Sequence, residues 1–166
     1  MSGGAALGST AGAGAPSRAA LHAALGEVQD PEIPIALADL GVIRAAEIAD
    51  GDVTVVLSPT RLGCPALGEI GRRVRDAALG LDGVATATVR WEMRAWSPDD
   101  VSAEGRRALH DGGYGLAPEA DGCPHCGSTE IEPLSAFGGS VCRVPYGCRT
   151  CGTPFDVLRS ARCALR

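Results

Sequence analysis

The chain has no lysine: all 15 of its basic residues are arginine. That excludes a Schiff-base mechanism and a phosphate-loop lysine. Aromatic residues make up only 4% of the sequence, which leaves few surfaces for stacking bases. Positive charge is also short, because 15 basic residues face 20 acidic ones and the formal net charge is -5. Such a surface has no general attraction for nucleic acid or an anionic membrane. No run is long and apolar enough to span a bilayer as a helix. Residues 1–15 lack the charged and apolar regions of a secretory signal. Their Gly/Ala/Ser composition cannot build a core, so they are expected to form a disordered leader.

What the chain does have is cysteine, seven in 166 residues. Two C-x-x-C pairs among them point to a metal or redox site in a reducing compartment rather than a disulfide scaffold. The length suits one core with a small appended module. From Pro16 the sequence becomes periodic. Ser17 is placed to cap a helix whose Leu21, Leu25 and Val28 share one face, with His22 turned to solvent. The helix is expected to stop near Asp30-Pro31, since the residue before proline disfavours helical geometry. Asp30-Pro31-Glu32-Ile33-Pro34 then forms a stiff segment with two carboxylates, either turn and cap residues or polar partners of a nearby site.

A strand is expected from Val42 to Ala49, a tight turn at Asp50-Gly51, and a second strand from Val53 to Ser58. Next comes Pro59-Thr60-Arg61-Leu62-Gly63-Cys64-Pro65, a lone cysteine on a hinge. Leu67, Ile70, Val74 and Ala77 behind it mark one face of a helix. This places Cys64 at or beside the helix N-cap and Pro65 in the first helical position, where the dipole favours a thiolate. The plainer alternative is a small buried cysteine in a strand–helix turn. Asp82-Gly83 turns into a third strand, Val84 to Trp91, with Ala85, Val89 and Trp91 opposite Thr86, Thr88 and Arg90. The order helix, strand, strand, helix, strand gives an α+β fold, two helices on one small sheet.

Trp96-Ser97-Pro98-Asp99-Asp100 reads as a capped start, followed by a helix from Ala103 to His110 that Gly112-Gly113 ends. Cys123-Pro124-His125-Cys126 and Cys148-Arg149-Thr150-Cys151 then form two knuckles that suit tetrahedral zinc bound by Cys123, Cys126, Cys148 and Cys151. So little apolar material surrounds them that the metal must supply much of the folding energy. A rubredoxin-like iron site and a redox dithiol are the alternatives. Four thiolates close the zinc shell, so this cofactor is structural. Cys142 reads as a ribbon-strand thiol or a substitute ligand, His125 as a spacer, and Cys163 as a free thiol. The expected divisions are a leader (1–15), an α+β domain (16–97), a helical linker (98–118), a four-cysteine zinc ribbon (119–160) and a tail (161–166).

Three blocks, Val28 to Pro34, Asp39 to Ile43 and Ser58 to Pro65, resemble the signature blocks of the MIP-type iron–sulfur assembly family. With the ribbon text Cys123 to Cys126, Phe137 to Cys142, Cys148 to Cys151 and Pro154-Phe155, the chain resembles the D-subunit family of bacterial phenylacetyl-CoA epoxidase systems. It departs from that family at Leu158-Arg159, where lysine and aromatics are common. The resemblance covers roughly Ser17 to Leu158. It implies a cytoplasmic, non-catalytic helper in aerobic phenylacetate degradation that matures the iron–sulfur reductase subunit of the oxygenase complex. Cys64 is then the transfer thiol, with Asp30, Glu32 and Thr60 around it. One thiolate holds a cluster only transiently, with a partner's thiols or a second copy's Cys64. A non-catalytic structural subunit and a nucleic-acid-binding ribbon are the competing readings, and composition speaks against the latter. Nucleophilic catalysis by Cys64 lacks a histidine base in the other signature blocks.

Overall fold

Alternating apolar residues build the first sheet. The computed structural model describes residues 16–158 apart from Leu62 and Phe137, so the leader, the tail with Cys163, and those two residues lie outside it. Strand β2 (Asp52–Leu57) is central, antiparallel to β1 (Ile43–Ala49) and parallel to β3 (Thr86–Trp91). Val53, Val55 and Leu57 are buried, while Ala87, Val89 and Trp91 of β3 point inward by the same two-residue period. Asp50 (φ 50°) and Gly51 (φ 86°) are both left-handed, as a two-residue hairpin turn requires.

The parallel β2–β3 pair needs a crossover, and α2 (Leu67–Leu79) supplies it. Its Ile70, Val74 and Ala78 are buried. Helix α1 (Arg18–Gly26) packs on α2 and β1, with Ser17 Oγ accepting the Ala20 N–H at 3.0 Å and Leu21 and Leu25 buried. It ends at Gly26, four residues before Asp30. Val28 is buried but already non-helical, because the chain from Val28 to Leu37 closes its own hydrogen-bonded loop.

The linker is a strap over this domain. Ser97 and Asp100 form a reciprocal capping box, but it closes only a 3-10 turn (Pro98–Asp100). Helix α3 (Ala103–Asp111) has its own cap, Ser102, whose Oγ accepts the Gly105 N–H at 2.9 Å. The strap is tied to Asp39-Leu40-Gly41. Ser102 N–H donates to the Asp39 carbonyl at 2.9 Å, and Trp96 Nε1 donates to the Leu40 carbonyl at 2.7 Å. Gly41 has φ 67°, and a Cβ there would stand 2.2 Å from the Asp100 carbonyl oxygen. The glycine of that block is therefore a seat for the strap.

One charge pair locks the strap to the sheet. Arg44 Nη1 on β1 donates to Asp100 Oδ1 at 2.8 Å, and the two side chains are only 14% and 10% exposed. Asp100 also accepts the Ser97 N–H at 2.9 Å, and Arg94 lies 3.2 Å away. The Arg44 hydrogen bond foremost, with help from the Ser97 N–H and the charges of Arg44 and Arg94, lowers the Asp100 pKa to about 2. The sign follows from a depressed carboxylate pKa. Asp100 stabilises the fold fully above the ordinary carboxylate range, and the contribution is lost as pH falls through about 2. Asp100→Ala strands Arg44 and is expected to cost about 3 kcal/mol in urea melts at pH 7. The gap between variant and wild type should close at the acid end.

The second sheet has the order β4-β7-β6-β5, from β4 (Tyr114–Gly115), β5 (Ile131–Pro133), β6 (Arg143–Cys148) and β7 (Pro154–Leu158). The short helix α4 (Pro118–Asp121) lies between β4 and the first knuckle. Because Tyr114 and Gly115 pair with Asp156 and Val157, the ribbon sheet takes in residues that the sequence pattern assigns to the linker. Leu116 and Leu158 belong to the apolar cluster of the first domain, so the ribbon is docked against it. Among the described residues, no helix is long and apolar enough to cross a membrane.

Candidate functional site

The acidic loop owes its shape to Asp30. Its Oδ1 accepts the N–H groups of Glu32 at 2.8 Å and Ile33 at 3.0 Å, while its own N–H donates to the Ile35 carbonyl at 3.0 Å. Pro31 and Pro34 stiffen the segment, and Ile33 and Ile35 pin it to the core. Burial raises the Asp30 pKa, against the opposing pull of those two backbone hydrogen bonds. Asp30 is thus the keystone of its loop and also lines the cavity described below.

Cys64 sits where β2 hands over to α2. Two successive turns make the transition: Cys64 N–H donates to the Arg61 carbonyl at 3.4 Å, and Leu67 N–H donates to the Cys64 carbonyl at 3.4 Å. Gly63, at φ 83°, supplies the left-handed residue inside the first of them. The helix cap is Ala66, with no side-chain cap bond. Cys64 therefore stands two residues upstream of the cap, and Pro65 precedes the helix rather than opening it. The expectation of a thiol at or beside the helix cap thus becomes a thiol two residues ahead of it. Helix-dipole effects are confined to the first turn, so Cys64 lies beyond their main reach.

Asp30, Glu32, Thr60 and Cys64 line one cavity of about 20 Å³, roughly one water in size. The structure thus brings together the four residues singled out from sequence. The remaining wall is apolar, with Leu40, Val42, Ile70 and Trp91 from the first domain and Leu158 from β7. The cavity also contains a residue that the sequence pattern misplaces. Cys142, just before β6, faces Cys64 across the domain junction. Burial, and then the neighbouring Cys64 thiol, push the Cys142 thiol up to about 12. Spacing along the ribbon carries no signal for this contact, because it depends on how the two domains dock.

The ribbon centre is separate. Cys123, Cys126, Cys148 and Cys151 have their sulfurs all within 4.8 Å of one another, the one such donor group among the described residues. Cys123 and Cys151 are 3.8 Å apart, and Cys126 and Cys148 are 3.6 Å apart. A zinc tetrahedron with bonds of about 2.3 Å has edges of about 3.8 Å, so the residues fit the ion. The two knuckles are built alike. Gly127 N–H returns to the Cys123 carbonyl at 2.8 Å, and Gly152 N–H returns to the Cys148 carbonyl at 2.9 Å. Both glycines have positive φ, 72° and 74°. Cys142 and His125 lie outside this centre; His125 is exposed, edge-on to Phe155 with ring centroids 6.4 Å apart.

The chain thus joins an α+β domain with a cavity-lining cysteine to a ribbon whose four sulfurs fit a structural zinc. Residues 18–89 match the family described as iron-sulfur cluster assembly protein, and residues 113–159 match the PaaD zinc beta ribbon domain. An Escherichia coli (strain K12) protein named as the D subunit of a 1,2-phenylacetyl-CoA epoxidase is 30% identical over 153 residues, covering 84% of this chain and 90% of that protein. The chain belongs to that D-subunit family. The Fe-S protein maturation auxiliary factor of Porphyromonas gingivalis (strain W83) is 37% identical over 79 residues, 46% of this chain and 75% of that one. Among solved structures, a domain of unknown function from Bacillus anthracis superposes with TM-score 0.51 at 25% identity, covering 54% of this chain and 87% of that chain.

Proposed function

We propose that this protein delivers iron–sulfur clusters to the reductase subunit of a phenylacetyl-CoA epoxidase complex, with Cys64 as the sulfur that carries them. The observation that carries the reading is the cavity shared by Cys64, Asp30, Glu32 and Thr60 in a domain of the iron–sulfur assembly family. Membership of the D-subunit family supports the choice of recipient. A sulfur donor on an apolar rim gives iron a soft ligand while keeping water away, and carboxylates beside it offer oxygen donors or proton acceptors. The role is accessory and not catalytic. Producing the oxygenase complex with and without this chain tests it. A maturation factor changes the iron and sulfide content of the reductase and leaves subunit assembly intact. Loss of assembly with fully clustered reductase would instead identify a scaffold subunit.

A further inference from the structure

We propose that Cys64 and Cys142 form a two-thiolate chelate, one arm from each domain, that ligates a single iron of the transported cluster. The inference rests on the delivery role above and adds a second ligand to it.

Three observations converge on the pair. Both thiols line the same cavity, which brings one cysteine of each domain to a single opening. Both are partly exposed, so an iron held between them stays reachable from outside. Cys142 is also fixed in place rather than hanging on a free loop. Its N–H donates to Ser140 Oγ at 3.1 Å, and the next residue opens β6, where Arg143 pairs with Leu158, itself a wall of the cavity. The start of β6 thus places Cys142 at the cavity, apart from the four ribbon sulfurs.

The cavity holds about 20 Å³ of water-sized space and opens to solvent, so the chelated iron sits at its mouth with the other iron outward, where thiolates of the recipient reach it. A [2Fe–2S] cluster takes two ligands on each iron, so this chain supplies half of the usual four. Binding replaces two S–H bonds with two S–Fe bonds and releases two protons. On hand-over the recipient's thiols lose two protons and the two thiolates here regain them, with no change in oxidation state.

The test uses the zinc-loaded full chain, incubated without oxygen with ferric citrate and sulfide and then desalted. Wild type should retain iron and sulfide together. Cys142→Ser and Cys64→Ser should each lose about tenfold or more of both, since even indirect ligand-support losses cost metal sites about 10- to 100-fold. Cys142→His should restore iron with an altered visible spectrum. A Cys142→Ser protein that keeps wild-type iron and sulfide, while Cys64→Ser loses them, overturns the chelate and leaves delivery by Cys64 standing. Retention by Cys64→Ser overturns both. Equal iron retention without sulfide overturns the cluster as ligand. Independently of folding in the variants, dibromobimane should bridge Cys64 to Cys142 in zinc-loaded wild type, as read by peptide mass. Failure to bridge them overturns the pairing.

Discussion

Cys64→Ala is expected to yield a soluble, zinc-replete protein that no longer delivers clusters. Stability should barely change. The side chain is partly exposed, it lies in a turn held by backbone hydrogen bonds, and the change removes one small atom. Zinc should not change either, because the four ribbon sulfurs form a closed group that excludes Cys64. Delivery should fail because alanine offers iron nothing, and the loss should exceed the roughly 10- to 100-fold seen when only the support of a metal ligand is removed. Each variant would be co-produced with the oxygenase complex, and iron and sulfide measured in the purified reductase. A reductase with its full cluster content beside Cys64→Ala would remove the carrier reading.

Asp30 gives a contrasting result by a different route. Two backbone N–H groups depend on its Oδ1, so Asp30→Ala should loosen the loop and cost about 1–3 kcal/mol. Asp30→Asn keeps an acceptor oxygen and should hold the loop. If Asp30→Asn delivers clusters as well as wild type, the residue works through loop geometry; if delivery falls while stability holds, the charge itself is used. Thermal melts read beside reductase iron content separate the two.

Much of the fold was legible because the responsible signals are local. Alternation set β2 and β3, Asp50-Gly51 set the hairpin, and Ser17 set the start of α1. The misses share one cause, which is tertiary competition for backbone groups. Val28 keeps the helical face pattern and is buried, yet its carbonyl accepts Leu37 N–H and so α1 stops at Gly26. Two linked turns set Cys64 two residues ahead of the cap rather than immediately beside it. The zinc ligands were legible because two knuckles of fixed spacing need no long-range information. Cys142 was not, since its neighbour lies 78 positions back in the sequence and meets it only once Leu116 and Leu158 dock the ribbon on the first core.

Cys148→Ser is expected to lose the zinc and unfold the ribbon while the first domain stays folded. The ribbon's own buried cluster consists of Cys123, Cys148, Phe155 and Val157, with Ile131 and Tyr146 at its edge. Two of those four buried residues are themselves metal ligands, so the metal and the core are nearly one object. Structural zinc contributes about 10–16 kcal/mol of apparent binding free energy in small fingers, far more than so few apolar side chains supply. The first domain has a cluster of its own that runs from Leu21 to Leu109, and it should survive. It should still be weakened, because Leu158 leaves its surface, and exposing a buried leucine costs about 1.5–3 kcal/mol. Limited proteolysis should therefore cut after Asp121 and leave a resistant fragment with a lowered melting temperature. Zinc assay and peptide mapping report the two parts separately. A Cys148→Ser protein with one zinc bound and wild-type resistance beyond Asp121 would mean that the ribbon does not depend on its metal.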